Sequence, residues 1–501
     1  MLHPLVLIVV VGLVGYDAIG PLFDSPFPAT VSALIVISAS ALIALGTHLR
    51  LVRLGRRLDR TGDFVVLRAA DRTLALSRVL TTAVFLVALF GLGWLDAVRR
   101  AIGDWVGVDE ILAAAPPLLV FAAGWWSYEP IDRRLHEAML VRAMDTGLPI
   151  HPPPSRGQYT LDKLRSTALG ALAPLVLILL WGEAARFAFE RWGWLPWPAD
   201  DERTLLAIAG AQVVGAGVVL AFSPPLVLAI WRTTTLPAGE LRDRLVALCK
   251  RHRVRVGGFR VWRTRGLVLN GAVLGVLPRL RYVLLTDALI ERLDGRELDA
   301  VMAHEIAHVR RRHLPWLIAA LAGALGGASF AIGWIADEAA GAWALNGGAW
   351  RGVIEGAGLT LALVIGLVVF GLVSRLFERQ ADAFAVRAAA EEEGAGVVTP
   401  DAAEAMAGAL ERVARINHIP MEKFTWRHGS IADRCRRVRR LIGARVDRLP
   451  VDAAVRRAKA VIALTLLALV ALVMFLPATG AGSDDTPRDR AARPFIERDA
   501  R

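Results

Sequence analysis

The pentapeptide His304-Glu305-Ile306-Ala307-His308 reads as part of a helix with two imidazoles on one face. Asp294-Gly295-Arg296-Glu297, just ahead of it, is a capping-box pattern, an acceptor with Glu three residues on. The helix it opens is expected to run through about Arg312, with Leu298, Val301 and Met302 burying its inner side. The i,i+4 spacing lets His304 and His308 hold one metal ion and sets Glu305 beside it. Imidazole and carboxylate ligands suit zinc, with one coordination position left for water. Zinc in such a site acidifies that water and polarises a carbonyl. Glu305 is placed to take the proton and pass it to a leaving amine.

Two histidines leave the ligand set incomplete. Ser374-Arg375-Leu376-Phe377-Glu378-Arg379-Gln380-Ala381-Asp382 supplies the best completion. Glu378 and Asp382 stand at i,i+4 shortly after an apolar stretch, and two such stretches separate them from His308. The chain therefore returns to the side of the membrane it left, as a shared site requires. Glu378 is expected to be the third ligand, and Asp382 to orient a ligand or brace its helix. Upstream, Arg281–Thr286 and Arg260–Arg265 read as short strands. Leu267-Val268-Leu269 reads as a strand running into a turn at Asn270-Gly271. The expected fold is thus a mainly α-helical polytopic membrane protein with a zincin-type α+β core.

The membrane assignment comes from apolar runs in a chain of 501 residues that is 55% hydrophobic, with mean hydropathy +0.47. That excludes a simple cytosolic enzyme, a disulfide-rich secreted module and a largely disordered chain. Nine spans are predicted: Leu5–Ile19, Ala29–Leu45, Val79–Leu95, Ile111–Trp126, Ala168–Trp181, Leu205–Ile230, Leu314–Ile335, Val353–Leu372 and Val461–Leu476. The first reads as an anchor rather than a cleaved signal peptide, since it lacks a basic leader. Lys+Arg total 59 against 47 Asp+Glu, a net charge of +12. The surplus gathers in alternate connections, His48–Arg78 and Glu129–Thr167 among them. A cytoplasmic N-terminus puts these and the polar segments Trp231–His313 and Val373–Ala460 inside, although Arg99 and Arg100 then fall outside. The organisation expected is a multispan region over 1–230 and a peptidase domain over 231–460, interrupted by the two-span hairpin 314–372. A last span at 461–476 and a polar tail over 477–501 complete it. Cys249 and Cys435 are too few for a disulfide framework or a four-cysteine zinc site.

Taken together, these motifs resemble the membrane zinc metallopeptidases that include CAAX prenyl protease 1 and the bacterial HtpX-type proteases. Their pattern, His-Glu-x-x-His followed at a distance by Glu-x-x-Ala-Asp, is matched by His304, Glu305 and His308 and then Glu378, Ala381 and Asp382. The resemblance covers about 260–441. It implies one zinc per chain on His304, His308 and Glu378, and a peptide or protein substrate. It also implies that Asn270 lies on a strand beside the cleft as a substrate-backbone contact. The run Arg427-His428-Gly429-Ser430 with Arg434 resembles the family's late His-Pro-Ser…Arg element. There His428 helps stabilise the tetrahedral intermediate and Arg434 braces the site, while Gly429 departs from the usual Pro. The beta-lactam-sensor peptidases share the first motif, but Ala381-Asp382, Asn270 and His428 argue against that branch.

Other features read more plainly. Trp192, Trp194 and Trp197 suit an interfacial belt. His313, after Arg310–Arg312, is expected to be solvated and not a ligand. The basic run Arg434–Arg445 fits anionic headgroups better than nucleic acid. The leading expectation is a zinc endopeptidase acting on membrane-associated or misfolded proteins at the cytoplasmic face. Its Arg-rich, Lys-poor usage suggests a bacterial inner membrane. The alternatives are a CAAX-type prenyl-peptide protease, a sensor-type peptidase, and a transporter or channel with an incidental His-Glu-Ile-Ala-His sequence.

Overall fold

The computed structural model describes residues 27–475, except 64, 106, 147, 148, 150, 193–201, 267, 344–347 and 418, together with 9, 12, 13 and 16. Six helices among the described residues have segments long and apolar enough to cross a membrane: Ala29–Thr61, Val65–Leu92, Leu172–Phe189, Gly210–Ile230, His313–Ala336 and Thr360–Glu392. Each matches one of the predicted spans. Most of Leu5–Ile19, as well as Trp194, Trp197 and the tail after Pro477, lie outside the described residues. Ile111–Trp126 falls on the helices Val108–Ala113 and Ala115–Thr146, and Val461–Leu476 on the helix Pro450–Phe475.

In chain order the helices are α1 Ala29–Thr61, α2 Val65–Leu92, α3 Trp94–Ile102, α4 Val108–Ala113, α5 Ala115–Thr146, α6 Arg156–Leu164, α7 Gly170–Trp192 and α8 Glu202–Ile230. A mixed α+β unit follows: β1 Thr234–Thr235, α9 Glu240–Arg251, β2 Gly258–Trp262, β3 Gly271–Leu274, β4 Tyr282–Thr286, α10 Asp287–Arg292 and α11 Gly295–Arg310. The hairpin α12 His313–Trp343 and α13 Gly348–Glu392 comes next, then α14 Pro400–Ile416, α15 Ile431–Arg439 and α16 Pro450–Phe475. This is a polytopic, mainly helical protein with a small sheet, the class the sequence predicts.

The sheet order among the described residues is β1-β2-β4-β3, with β2 and β4 parallel and β3 antiparallel to β4. Asn270-Gly271 is therefore not the turn after a strand. Asn270 leads into the edge strand, its N–H donating to Thr286 Oγ1 while its carbonyl accepts from the Thr286 N–H at 3.0 Å. The strand that was expected before it is placed after it, because pairing with β4 outweighs the local Asn-Gly turn preference. A Cβ on Gly271 would stand 3.4 Å from Val301 and 3.9 Å from Glu305, so the edge strand begins against α11.

Helix α11 starts as the capping box predicts: Asp294 accepts from the Glu297 N–H at 2.8 Å and Glu297 reaches back to the Asp294 N–H. Leu298, Met302 and Ile306 are buried against Val283, Leu285 and Leu289. Each such side chain contributes about 1.5–3 kcal/mol. The helix ends at Arg310, two residues short of expectation. Arg312 adopts φ +54°, a left-handed conformation that breaks the helix and redirects the chain. Helix α13 runs unbroken for 45 residues. At 1.5 Å per residue that is about 68 Å, more than twice the roughly 30 Å of a bilayer core. A membrane-spanning segment and the functional segment Glu378–Asp382 thus share one rigid rod.

The first half of the chain touches this unit on one side. His151 Nε2 lies 3.0 Å from Glu291, and Arg265 is 3.2 Å from Asp162. Arg134 bonds Asp59 at 2.7 Å, joining the end of α1 to α5.

Candidate metal centre

Helix α11 presents His304 and His308 to the turn of α13 that carries Glu378. The two imidazole Nε2 atoms are 3.2 Å apart. Glu378 oxygens lie 3.6 Å from His304 Nε2 and 3.7 Å from His308 Nε2. A tetrahedral zinc with arms of about 2.0–2.1 Å has ligand-to-ligand edges of about 3.4 Å. The observed triangle therefore fits zinc in both size and donor type. His304, His308 and Glu378 are the group among the described residues able to hold a metal ion.

The surroundings fix the orientation of each donor. Asp382, one turn beyond Glu378, stands 2.9 Å from His304 Nδ1 and leaves Nε2 toward the other donors. Arg434 donates to both Asp382 oxygens at 2.9 and 2.6 Å and reaches Glu378 at 3.4 Å. Asp382 and Arg434 are both buried, and their two-pronged pairing is the geometry guanidinium and carboxylate favour. Burial would lower the His304 pKa, but contact with Asp382 outweighs it and the net shift is upward. For His308 burial dominates, aided by repulsion from His304, and holds the imidazole at about 3. His308 is thus neutral, the form that ligates a metal.

Glu305 lies on the same helix, and burial pushes its carboxyl up to about 7 against the opposing pull of His304. A carboxyl that titrates near neutrality can both accept and return a proton, the requirement for a general base that later acts as an acid.

His428 Nδ1 lies 3.1 Å from Glu378, beside the ligand triangle. Its loop closes through two backbone bonds between Thr425 and Gly429, at 2.8 and 3.1 Å. Gly429 has φ +76°. Proline is locked near −65° and cannot adopt that conformation, so the departure from His-Pro-Ser reflects a different turn that still delivers the imidazole. Ser430 is the N-cap of α15, accepting from the Asp433 N–H at 3.2 Å, and so fixes the helix that carries Arg434. Asn270 stands just before β3, at the end of that strand nearest Glu305.

One expectation is overturned. His313 is not solvated: it is 1% exposed, stacks on Phe377 at 4.4 Å, and places Nδ1 2.9 Å from His308 Nδ1. Its Nε2 lies 2.9 Å from Gln380 Oε1, and Gln380 donates to Asp452 on α16 at 2.5 Å. The left-handed Arg312 folds the start of α12 back toward His308, which spacing along α11 could not show. Gln380 and Asp452 were not singled out in the sequence either. Helix register gave no signal for Gln380, which stands two positions from both Glu378 and Asp382 and so on the other side of α13. Several arginines of the run Arg434–Arg445 pair with the protein's own carboxylates at the surface, Arg439 bonding Glu404 and Glu411 and Arg436 bonding Asp433.

Comparison with known proteins finds three similarities. Residues 264–441 match the model of Peptidase family M48. A curated relative, "Protease HtpX homolog" from Syntrophotalea carbinolica, is 28% identical over 237 residues, covering 47% of this chain and 76% of that protein. The crystal structure of S. mikatae Ste24p aligns with TM-score 0.46 and 14% identity, over 82% of this chain and 99% of that one.

Proposed function

We propose, for a chain whose residues 264–441 match the model of Peptidase family M48, a zinc-dependent endopeptidase that cleaves membrane-associated or misfolded proteins at the cytoplasmic face. The observation that carries this reading is the triangle of His304, His308 and Glu378 donors at 3.2–3.7 Å with Glu305 on the same helix. A bound zinc would acidify water and polarise the scissile carbonyl. Glu305, titrating near 7, accepts the proton of the attacking water and returns it to the departing amine. His428, on the flank of Glu378, is positioned to donate to the oxygen that gains charge. Asp382 and Arg434 hold His304 and Glu378 in place.

The substrate backbone is proposed to lie along β3, the edge of the sheet nearest Glu305, as an added strand. Asn270 would fix its register. Broad proteolysis is preferred over prenyl-peptide cleavage, because the similar protein from Syntrophotalea carbinolica is named a protease without that restriction. The proposed layout keeps the multispan region 1–230, the peptidase unit 231–460 around its hairpin, the last span 461–476 and the tail, in a bacterial inner membrane.

Elemental analysis and cleavage of a quenched casein-type substrate on the same detergent-purified sample test this. Wild type should hold about one zinc per chain. His304→Ala and His308→Ala should each lose most of it together with cleavage. Equal zinc in all three proteins would end the assignment.

A further inference from the structure

A second polar cavity lies on the far side of α11's last turn, away from the metal triangle. It measures about 490 Å³ and is walled by Arg251, His252, Arg253, Arg310, Arg311 and Arg387, with Glu391 as its carboxylate. The arginines come from three separate places: the end of α9, the end of α11 and the last turns of α13. A solvated charge run on one helix face would not converge in this way. From this convergence we propose that the cavity binds a phosphate-type oxyanion, either free in solution or as the headgroup of an anionic lipid.

The charge balance supports this. Arg387 pairs with Glu391 at 2.7 Å, Arg251 with Glu392 at 3.3 Å, and Arg311 approaches Asp452 at 3.8 Å. Among the described residues no carboxylate lies within ion-pair distance of Arg253 or Arg310, so the cavity keeps an excess of positive charge. Two buried polar atoms in its wall, His252 Nε2 and Arg311 Nε, have no hydrogen-bond partner. A ligand with several acceptor oxygens would satisfy such donors, and guanidinium forks match phosphate geometry. Phe384 supplies an apolar wall, with the Arg311 guanidinium 5.8 Å from its ring centroid. Arg253 adopts φ +54°, a left-handed conformation costly for a non-glycine residue yet retained here by one that lines this cavity.

Position explains why both sources are open. Arg310 and Arg311 stand three and two residues before His313, the first residue of a segment long and apolar enough to cross a membrane. The cavity therefore sits where headgroups and cytosolic anions meet. Arg310 is also two residues from His308, so an anion held there would secure the end of the helix that carries both histidines.

The test uses the full chain in nanodiscs. In one arm, inorganic phosphate is titrated by calorimetry into protein in phosphatidylcholine discs, at constant ionic strength. In the other, amide exchange at 251–253 and 310–312 is compared between phosphatidylcholine and phosphatidylglycerol discs without phosphate. The variant is Arg253→Asn with Arg310→Gln, Asn being chosen because it tolerates the left-handed backbone. Arg445→Gln, at an exposed pair with Asp447, is the control. Saturable phosphate binding weakened at least about tenfold in the double variant, the loss expected for one charge-assisted contact, would support the proposal with a free anion. Protection in phosphatidylglycerol alone, lost in the double variant and kept in the control, would support it with a lipid headgroup. If the double variant does not fold, each single variant should show the same loss in part. Responses equal in wild type and folded variants, or absent in both arms, overturn it.

Discussion

His313 Nδ1 stands 2.9 Å from His308 Nδ1, and only one proton can lie between them. The rest of the chain of contacts decides which ring carries it. Asp452 accepts, so Gln380 turns its amide nitrogen to Asp452 and its oxygen to His313. His313 must then donate from Nε2 and accept at Nδ1. His308 therefore donates from Nδ1 and keeps its Nε2 lone pair for a metal. The carboxylate at the end of this relay belongs to α16, so a helix outside the two motifs sets the tautomer of His308, a candidate metal ligand.

That logic predicts the behaviour of His313→Phe. Phenylalanine keeps an aromatic ring against Phe377, though a larger one, and cannot accept from His308. Loss of such an orienting partner typically weakens metal affinity by about 10–100-fold. Competition with a chromophoric chelator should read this shift in the folded variant, while thermal stability should fall by about 1–3 kcal/mol because Gln380 Oε1 loses its donor. Unaltered zinc affinity in the folded variant would show that the relay does not orient His308.

Glu305 and Glu378 should separate catalysis from metal binding. Glu305→Gln leaves three donors in place and removes the proton acceptor, so zinc stays and cleavage falls by about 100- to 10,000-fold. Glu378→Gln exchanges a charged donor for a poor neutral one, and zinc content itself should fall. Metal analysis and cleavage on the same samples distinguish the two. Full activity in Glu305→Gln would remove the peptidase reading.

Gly429 offers a test of why the His-Pro-Ser pattern is broken here. At φ +76° an Ala should cost about 1 kcal/mol, and a Pro more, because its ring cannot reach that angle. Gly429→Pro installs the Pro of the His-Pro-Ser pattern that this run resembles, yet it should displace His428 and reduce cleavage while zinc content, which depends on residues of other elements, remains. Activity at or above wild type in Gly429→Pro would show that the loop does not depend on this turn.

The parts legible in the sequence share a property: their information is local. The i,i+4 pairs His304/His308 and Glu378/Asp382, and the Asp294–Glu297 cap, are set by helix geometry over one turn. The triangle of His304, His308 and Glu378 was reachable because two apolar runs bring the chain back. His313 was misread because its burial depends on a left-handed residue, Arg312, and on partners 67 and 139 positions away. Asn270-Gly271 was misread as a turn because the competing interaction, pairing with β4, lies across the sheet. Neither signal exists within a short window.

The orientation of the molecule yields the last prediction. His48–Arg78, Trp231–His313 and Val373–Ala460 are expected on the cytoplasmic side, on the strength of their arginine content. Contacts now tie the first of these to the rest: Arg134 of α5 bonds Asp59, and the same segment continues to Asp162, which meets Arg265 of the peptidase unit. The three segments should therefore report one side together. Arg99, which counted against this orientation, is 2.6 Å from the buried Asp109, so its charge is paired within the opposite end of the bundle. Single cysteines at Arg60, Arg296 and Glu422, all exposed, in a background without Cys249 and Cys435, should resist an impermeant maleimide in intact cells and react after permeabilisation. A cysteine at Asp104, also exposed, should react from outside. Labelling of the Arg296 position in intact cells would reverse the orientation, and labelling of only one of the three would contradict their common face.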